Sequence, residues 1–141
     1  MKKILIVNAN YYNEISQKLV LSAKKKLLKK RFKVSIIDVP GVYEIPIAVR
    51  KNIGKFNGFV ALGCVIKGQT PHFDLICSST FNSILNLSIT FNKPIANGVI
   101  TANNMSQALQ RCGSGKSKKP NKGSEAANAV MSILENGPKK I

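Results

Sequence analysis

The chain has 141 residues, 44% hydrophobic and 20% charged, an ordinary globular balance for one domain whose core needs no disulfide or metal. No apolar run approaches the ~20 residues that span a bilayer, and Cys64, Cys77 and Cys112 are odd in number with no C-x-x-C pair, which argues against a membrane span, a disulfide scaffold or a zinc site and for a reducing cytoplasm. The formal charge of +16 invites a nucleic-acid reading, but the lysines are dispersed along the sequence without an RNA-binding signature or interleaved aromatics, so a solvated surface that draws in an anionic substrate is expected instead, with no nucleic-acid partner.

In chain order, Ile4 to Val7 reads as a first β-strand; Asn8 and Asn10 end the run too early for a secretory signal. It leads to Tyr11 and Tyr12, which either pack or present a ring for stacking. Asn13 to Lys30 reads as a helix, with Ile15, Leu19, Ala23 and Leu27 at i, i+4 spacing and lysines opposite. A second strand, Val34 to Ile37, precedes Gly41-Val42-Tyr43-Glu44-Ile45-Pro46. That segment is either a turn with Glu44 at the favourable start of a short helix, or a turn whose backbone and carboxylate receive a polar ligand. Phe59 to Val65 is a third, buried strand. A helix starts at Thr70-Pro71, where threonine can cap and proline suits the first helical position; Phe73, Cys77, Phe81 and Leu85 are its expected apolar line. Pro94 to Ile100 is the fourth strand and Asn104 to Arg111 a further helix, which Arg111 ends as a dipole-compensating cation or a phosphate clamp. Cys112 to Pro120 reads as a flexible, charged loop, and the last helix starts near Asn121 with Ala126, Ala127, Val130, Met131 and Leu134 as its apolar face. Strands alternating with helices of these lengths imply a parallel sheet covered on both faces.

Gly115-Lys116-Ser117 looks like the tail of a phosphate-binding loop, but Gln110 stands where the first glycine is needed and a helix, not a strand, precedes it. No G-x-G-x-x-G follows the first strand either, so nucleotide sites of both kinds are unsupported. The chemistry concentrates in Gly63-Cys64-Val65-Ile66-Lys67-Gly68-Gln69-Thr70-Pro71-His72-Phe73-Asp74, which holds the only histidine. Alone, His72 would be a surface or capping residue. Here it stands at the carboxyl end of a buried strand, on the first turn of a helix, where open α/β sheets place their ligand crevice. Gln69 and Thr70 share that start, whose N–H groups and dipole favour an anion. Imidazole can give and take a proton near neutral pH. Three loops therefore offer an aromatic face, a carboxylate, and a histidine beside an anion hole, which favours a catalytic pocket.

These residues resemble the lumazine synthase (6,7-dimethyl-8-ribityllumazine synthase) family from about Lys3 to Leu134. The resemblance is carried by Pro40 to Pro46, Ala61 to Asp74, Gly98-Val99-Ile100-Thr101, Gln107-Ala108 and Asn121 to Ala127. It implies a flavodoxin-like three-layer α/β/α sandwich with a four-stranded parallel sheet, and a transferase of riboflavin biosynthesis that works without cofactor or metal. The substrates would be 5-amino-6-(D-ribitylamino)uracil and 3,4-dihydroxy-2-butanone 4-phosphate. Active sites would lie between subunits of a homopentamer, which some members assemble into sixty-subunit shells. Carried over by position, Tyr11 would stack on the pyrimidine; Val42, Tyr43 and Glu44 would take the ribityl chain and adjacent ring; and Cys64, Val65 and Ile66 would line the ring through their backbone. Asn97 and Lys122 would be further pocket contacts. Gln69 and Thr70 would hold the phosphate with their N–H groups, Arg111 of a neighbouring subunit would clamp it, and His72 would shuttle protons. Three features depart from the family: Asn97 replaces a common phenylalanine, Asn103 an acid, and the loop from Arg111 to Asn121 is longer, leaving open which of Lys116, Lys118 or Lys119 meets the phosphate. A flavin- or lumazine-binding protein without activity is the competing expectation on the same scaffold.

Overall fold

Successive side chains of a strand point to opposite faces, so a strand apolar at every position needs cover on both sides. β1 (Lys3–Ala9) is buried from Ile4 onward: Ile4 and Ile6 enter one apolar cluster, Leu5 and Val7 another. The computed structural model, which describes residues 1–113 and 119–141, supplies that cover. β1 pairs in parallel with β2 (Lys33–Val39) on one side and β3 (Gly58–Ile66) on the other, and β3 pairs in parallel with β4 (Ile95–Ala102). The order is β2-β1-β3-β4, the α/β arrangement of the flavodoxin-like folds. The rejected phosphate-loop segment Gly115-Lys116-Ser117, with Lys118, lies outside the described residues.

Helix α1 (Asn13–Lys29) buries Ile15, Leu19, Ala23 and Leu27, the face that its spacing predicts. With α4 (Met105–Arg111) and α5 (Lys122–Glu135) it covers the Ile4 and Ile6 face of the sheet. The other face takes α2 (Ile45–Lys51), entered through a 3-10 turn over Val42–Glu44, and α3 (His72–Phe91). In α3 the buried positions are Thr80 and Ile84, not the expected line from Phe73 to Leu85, whose last member is 59% exposed. Helix α3 is apolar on more than one side, so the spacing does not select the stripe that meets the sheet: Thr80 and Ile84 sit deepest, with Ile76, Phe81 and Leu87 half-buried beside them. The start of α3 also differs from expectation: the helix begins at His72, Pro71 occupies the N-cap, and no side chain caps it, Thr70 included. Proline's fixed φ suits both positions, and the first helical bond runs from the Leu75 N–H to the Pro71 carbonyl at 3.2 Å.

Asparagines start the two following helices. Asn104 accepts the Gln107 N–H at 2.9 Å, while the Gln107 side chain accepts the Asn103 N–H at 2.8 Å, a reciprocal cap. Asn121 accepts the N–H groups of Gly123 and Ser124 and donates to the Cys112 carbonyl at 2.8 Å, so one side chain ties the end of α4 to the start of α5. Gly123 then lies against the Leu19 carbonyl, leaving no room for a Cβ; this is how α5 crosses close to α1.

Candidate active site

The chain turns over at the carboxyl ends of β1, β2 and β3, and three loops meet there. In a sheet of this order the connections from β1 and β3 leave toward opposite faces, which opens a crevice between them. Gly63 sets its depth. A Cβ there would stand 2.9 Å from Val42 Cγ1 and 3.0 Å from Ala9 Cβ, so only glycine lets the 3-10 turn settle against the sheet. The Glu44 carboxylate folds back over Gly41, with Oε1 3.2 Å from where a Cβ would be. The result is a cleft of about 540 Å³ lined by Tyr11, Tyr12, Val42, Glu44, Cys64, His72 and their neighbours. That is the size class of small-molecule sites.

The walls have distinct chemistries. Tyr11 is 75% exposed and meets Tyr12 edge-on, ring centroids 5.0 Å apart at 78°. The more exposed ring leaves a face available to a flat ligand, and the other holds it in place. Burial, then Cys64 and Tyr11 nearby, push the Tyr12 hydroxyl above the ordinary phenol range, so it stays a neutral donor. Burial, with Cys112 close by, pushes the Cys64 thiol up to about 12. Cys64 therefore offers backbone and apolar surface, not a nucleophile. His72 opens α3, whose first N–H groups lack helical acceptors. Gln69 and Thr70 precede it as exposed residues. Among the described residues no three of His, Cys, Asp and Glu group as metal ligands.

The cleft thus joins Tyr11, Val42, Tyr43, Glu44, Cys64, Val65, Ile66 and His72 from the sequence-based set. It also takes in Tyr12 and Gly41, from two of the segments read as ligand loops, and adds Ile76, which the sequence does not single out; Ile76 was legible as the residue one turn after His72 on the same helical face. Gln69, Thr70, Asn97, Arg111 and Lys122 do not line it within one chain. Asn97 is exposed on β4, where its side chain accepts the Val99 N–H at 3.0 Å. Arg111 is the exposed last residue of α4, and Lys122 is the first of α5.

The model of the family described as 6,7-dimethyl-8-ribityllumazine synthase matches residues 1–136. The chain belongs to that family. It is 38% identical to the 6,7-dimethyl-8-ribityllumazine synthase of Campylobacter curvus over 138 residues, 94% of this chain and 86% of the relative. It is 40% identical to that of Campylobacter jejuni subsp. jejuni serotype O:2 over 137 residues, 94% and 87% of the two chains. With the Methylorubrum populi enzyme it shares 35% over 139 residues, 94% and 80% of the two. Membership in this synthase family makes the chain a transferase of riboflavin biosynthesis, and among the described residues no helix is long and apolar enough to cross a membrane.

The burial of Cys64 gives a first prediction about this synthase-family cleft. The folded chain holds the Cys64 proton to higher pH than the unfolded chain does. The stability this contributes is full below the ordinary thiol range and is lost as pH rises toward about 12. Maleimide labelling of the native protein at neutral pH should therefore modify the half-buried Cys77 first. Cys64 and Cys112, both buried, should react only on unfolding. Rapid native labelling of Cys64, read by peptide mass, would remove the neutral-wall assignment.

Proposed function

We propose that the cleft condenses 5-amino-6-(D-ribitylamino)uracil with 3,4-dihydroxy-2-butanone 4-phosphate, giving 6,7-dimethyl-8-ribityllumazine, phosphate and water. The observation that supports this most is the convergence of Tyr11, Glu44 and His72 on one crevice, with the start of α3 at its rim. The pyrimidine ring stacks on Tyr11 and runs along the backbone of Cys64, Val65 and Ile66. Val42, Tyr43 and Glu44 take the ribityl chain, a polyol whose hydroxyls need a carboxylate and backbone groups as partners. The phosphate sits at the N–H groups of Gln69 and Thr70 beside the start of α3, where the dipole favours negative charge.

The ring amine attacks the ketone to form a Schiff base with loss of one water, phosphate leaves, and ring closure onto the remaining carbonyl expels a second water. Each step moves a proton, and His72 carries protons between the substrates and solvent. Much of the acceleration comes from holding two substrates in one orientation, an effect that reaches roughly 7–11 kcal/mol when alignment is good. The chain's own residues supply this chemistry.

Asn97, Arg111 and Lys122 complete the site from an adjoining copy, in a homopentamer or a multiple of it, within the cytoplasm. Arg111 closes α4 exposed, as a residue reaching across to another copy must be. Its guanidinium clamps the phosphate from outside. Arg111→Ala should accordingly raise KM for the phosphate-bearing substrate by about tenfold or more, while KM for the pyrimidine stays within about twofold. A variant impaired only toward the pyrimidine contradicts the clamp. The reaction itself is tested by mixing the purified protein with both substrates and following lumazine absorbance and fluorescence. Formation well above the uncatalysed rate is expected, and a rate no faster than that without protein overturns the proposal.

A further inference from the structure

Folding gathers charges that the sequence keeps apart. In a parallel sheet every strand starts at one edge, and the crossover helices end there. Lys3 and Lys33 open β1 and β2 directly opposite each other. Lys29, Lys30 and Arg31 close α1; Lys51 closes α2, and Lys55 follows on the way to β3. Lys2, Lys30 and Arg31 share the wall of one shallow cleft of about 320 Å³. Of the six acidic residues, Glu135 alone joins them there. Glu14, Glu44, Asp74 and Glu125 stand in the first turns of helices and Asp38 near the end of β2, all toward the opposite edge.

Compensation of helix dipoles accounts for Lys29 and Lys51 in last turns. It does not account for Lys2, Lys3, Lys33 and Lys55, which lie at or before strand starts. The charges extend along the whole edge and surround no deep pocket, which suits an extended polyanion better than a small anion. All three tyrosines lie on the far edge and the chain has no tryptophan; of the phenylalanines at this edge Phe32 is buried, Phe56 packs edge-on against Phe59 and Phe91 carries the Arg50 guanidinium on its ring at 4.8 Å, so none stands free as the aromatic wedge typical of membrane-surface binding.

We propose that the amino edge of the sheet binds nucleic acid through its phosphodiester backbone, independently of base sequence. The expectation of no such partner rested on lysines scattered along the chain; the parallel topology aligns them. The surface lies opposite the cleft, so both can be occupied at once.

Anisotropy of a labelled single-stranded RNA and of a labelled DNA duplex, titrated with the intact protein, tests this. For about five phosphate contacts, affinity for the single strand should fall about 10²-fold between about 50 and 200 mM salt, and more steeply for the duplex. Lys30→Gln with Arg31→Gln and Lys33→Gln should weaken binding at least tenfold at low salt and flatten the log–log slope by about 2. Removing the same charge from the body of α1, through Lys18→Gln, Lys24→Gln and Lys25→Gln, should change affinity less than about threefold. If the first triple variant melts early, Lys3→Gln with Lys55→Gln serves in its place. Equal losses from the two triple variants, no binding at low salt, or tighter binding to phosphatidylserine vesicles than to either nucleic acid would each overturn the proposal.

Discussion

His72→Ala should lower kcat by about 10²-fold, some 2.7 kcal/mol of transition-state stabilisation, with the assembly and its melting temperature unchanged. Positioned proton transfer contributes roughly 10²–10⁴-fold in enzymes generally. The lower end is expected here for two reasons. His72 is exposed at the rim of the cleft, so water replaces part of its function. The larger share of the acceleration comes from juxtaposing two substrates, which this substitution leaves in place. KM for both substrates should change little, since an imidazole that moves protons adds little to ground-state binding. Because the side chain borders open solvent, added imidazole should restore part of the rate in proportion to its concentration. A kcat within twofold of the parent removes the histidine from the chemistry, and a fall unrelieved by imidazole alongside a lowered melting temperature assigns it to structure.

Gly123→Ala should cost about 2 kcal/mol of stability, or about 7 °C in Tm for a chain of this size. The added methyl meets the Leu19 carbonyl, which is backbone and cannot rotate aside, and lies 3.0 Å from the Asn121 carboxamide oxygen that caps the same helix. Overpacking of this kind costs about 3 kcal/mol at the upper end of its usual range. The better helix propensity of alanine returns at most about 1 kcal/mol. The clash wins. Relief requires α5 to move off α1, which shifts Lys122 and loosens the link from Asn121 to Cys112. Asn128→Ala, on the exposed side of the same helix, should be neutral or slightly stabilising. If Gly123→Ala melts with the parent, the close crossing of α1 and α5 is not what that glycine serves.

The sheet was legible because burial on both faces leaves a continuous apolar signature: Ile4 to Val7 and Phe59 to Val65 admit no amphipathic alternative. α1 was equally plain, since its lysines and its Ile15-to-Leu27 stripe occupy opposite sides. α3 was not. It carries apolar residues around much of its circumference, and periodicity alone does not say which stripe meets the sheet; Thr80, a polar residue, is among those buried. The site was legible at strand ends, where the topology dictates a crevice, and the residues named from those three loops share one cleft apart from Gln69 and Thr70, which do not line it. Arg111, Asn97 and Lys122 lie outside it because one chain's cleft holds only what its own loops reach. The basic edge escaped notice for the complementary reason: Lys3, Lys33 and Lys55 are far apart in sequence, and only the parallel pairing makes them neighbours.

In the proposed reaction the crevice beside Tyr11, Glu44 and His72 holds the pyrimidine. A crystal structure of the protein with 5-amino-6-(D-ribitylamino)uracil and inorganic phosphate tests it most directly. The ring should lie on Tyr11 with its ribityl chain toward Glu44, and the phosphate at the start of α3 within reach of His72 and of Arg111 from an adjoining copy. A pyrimidine bound elsewhere, or a phosphate remote from His72, contradicts the account.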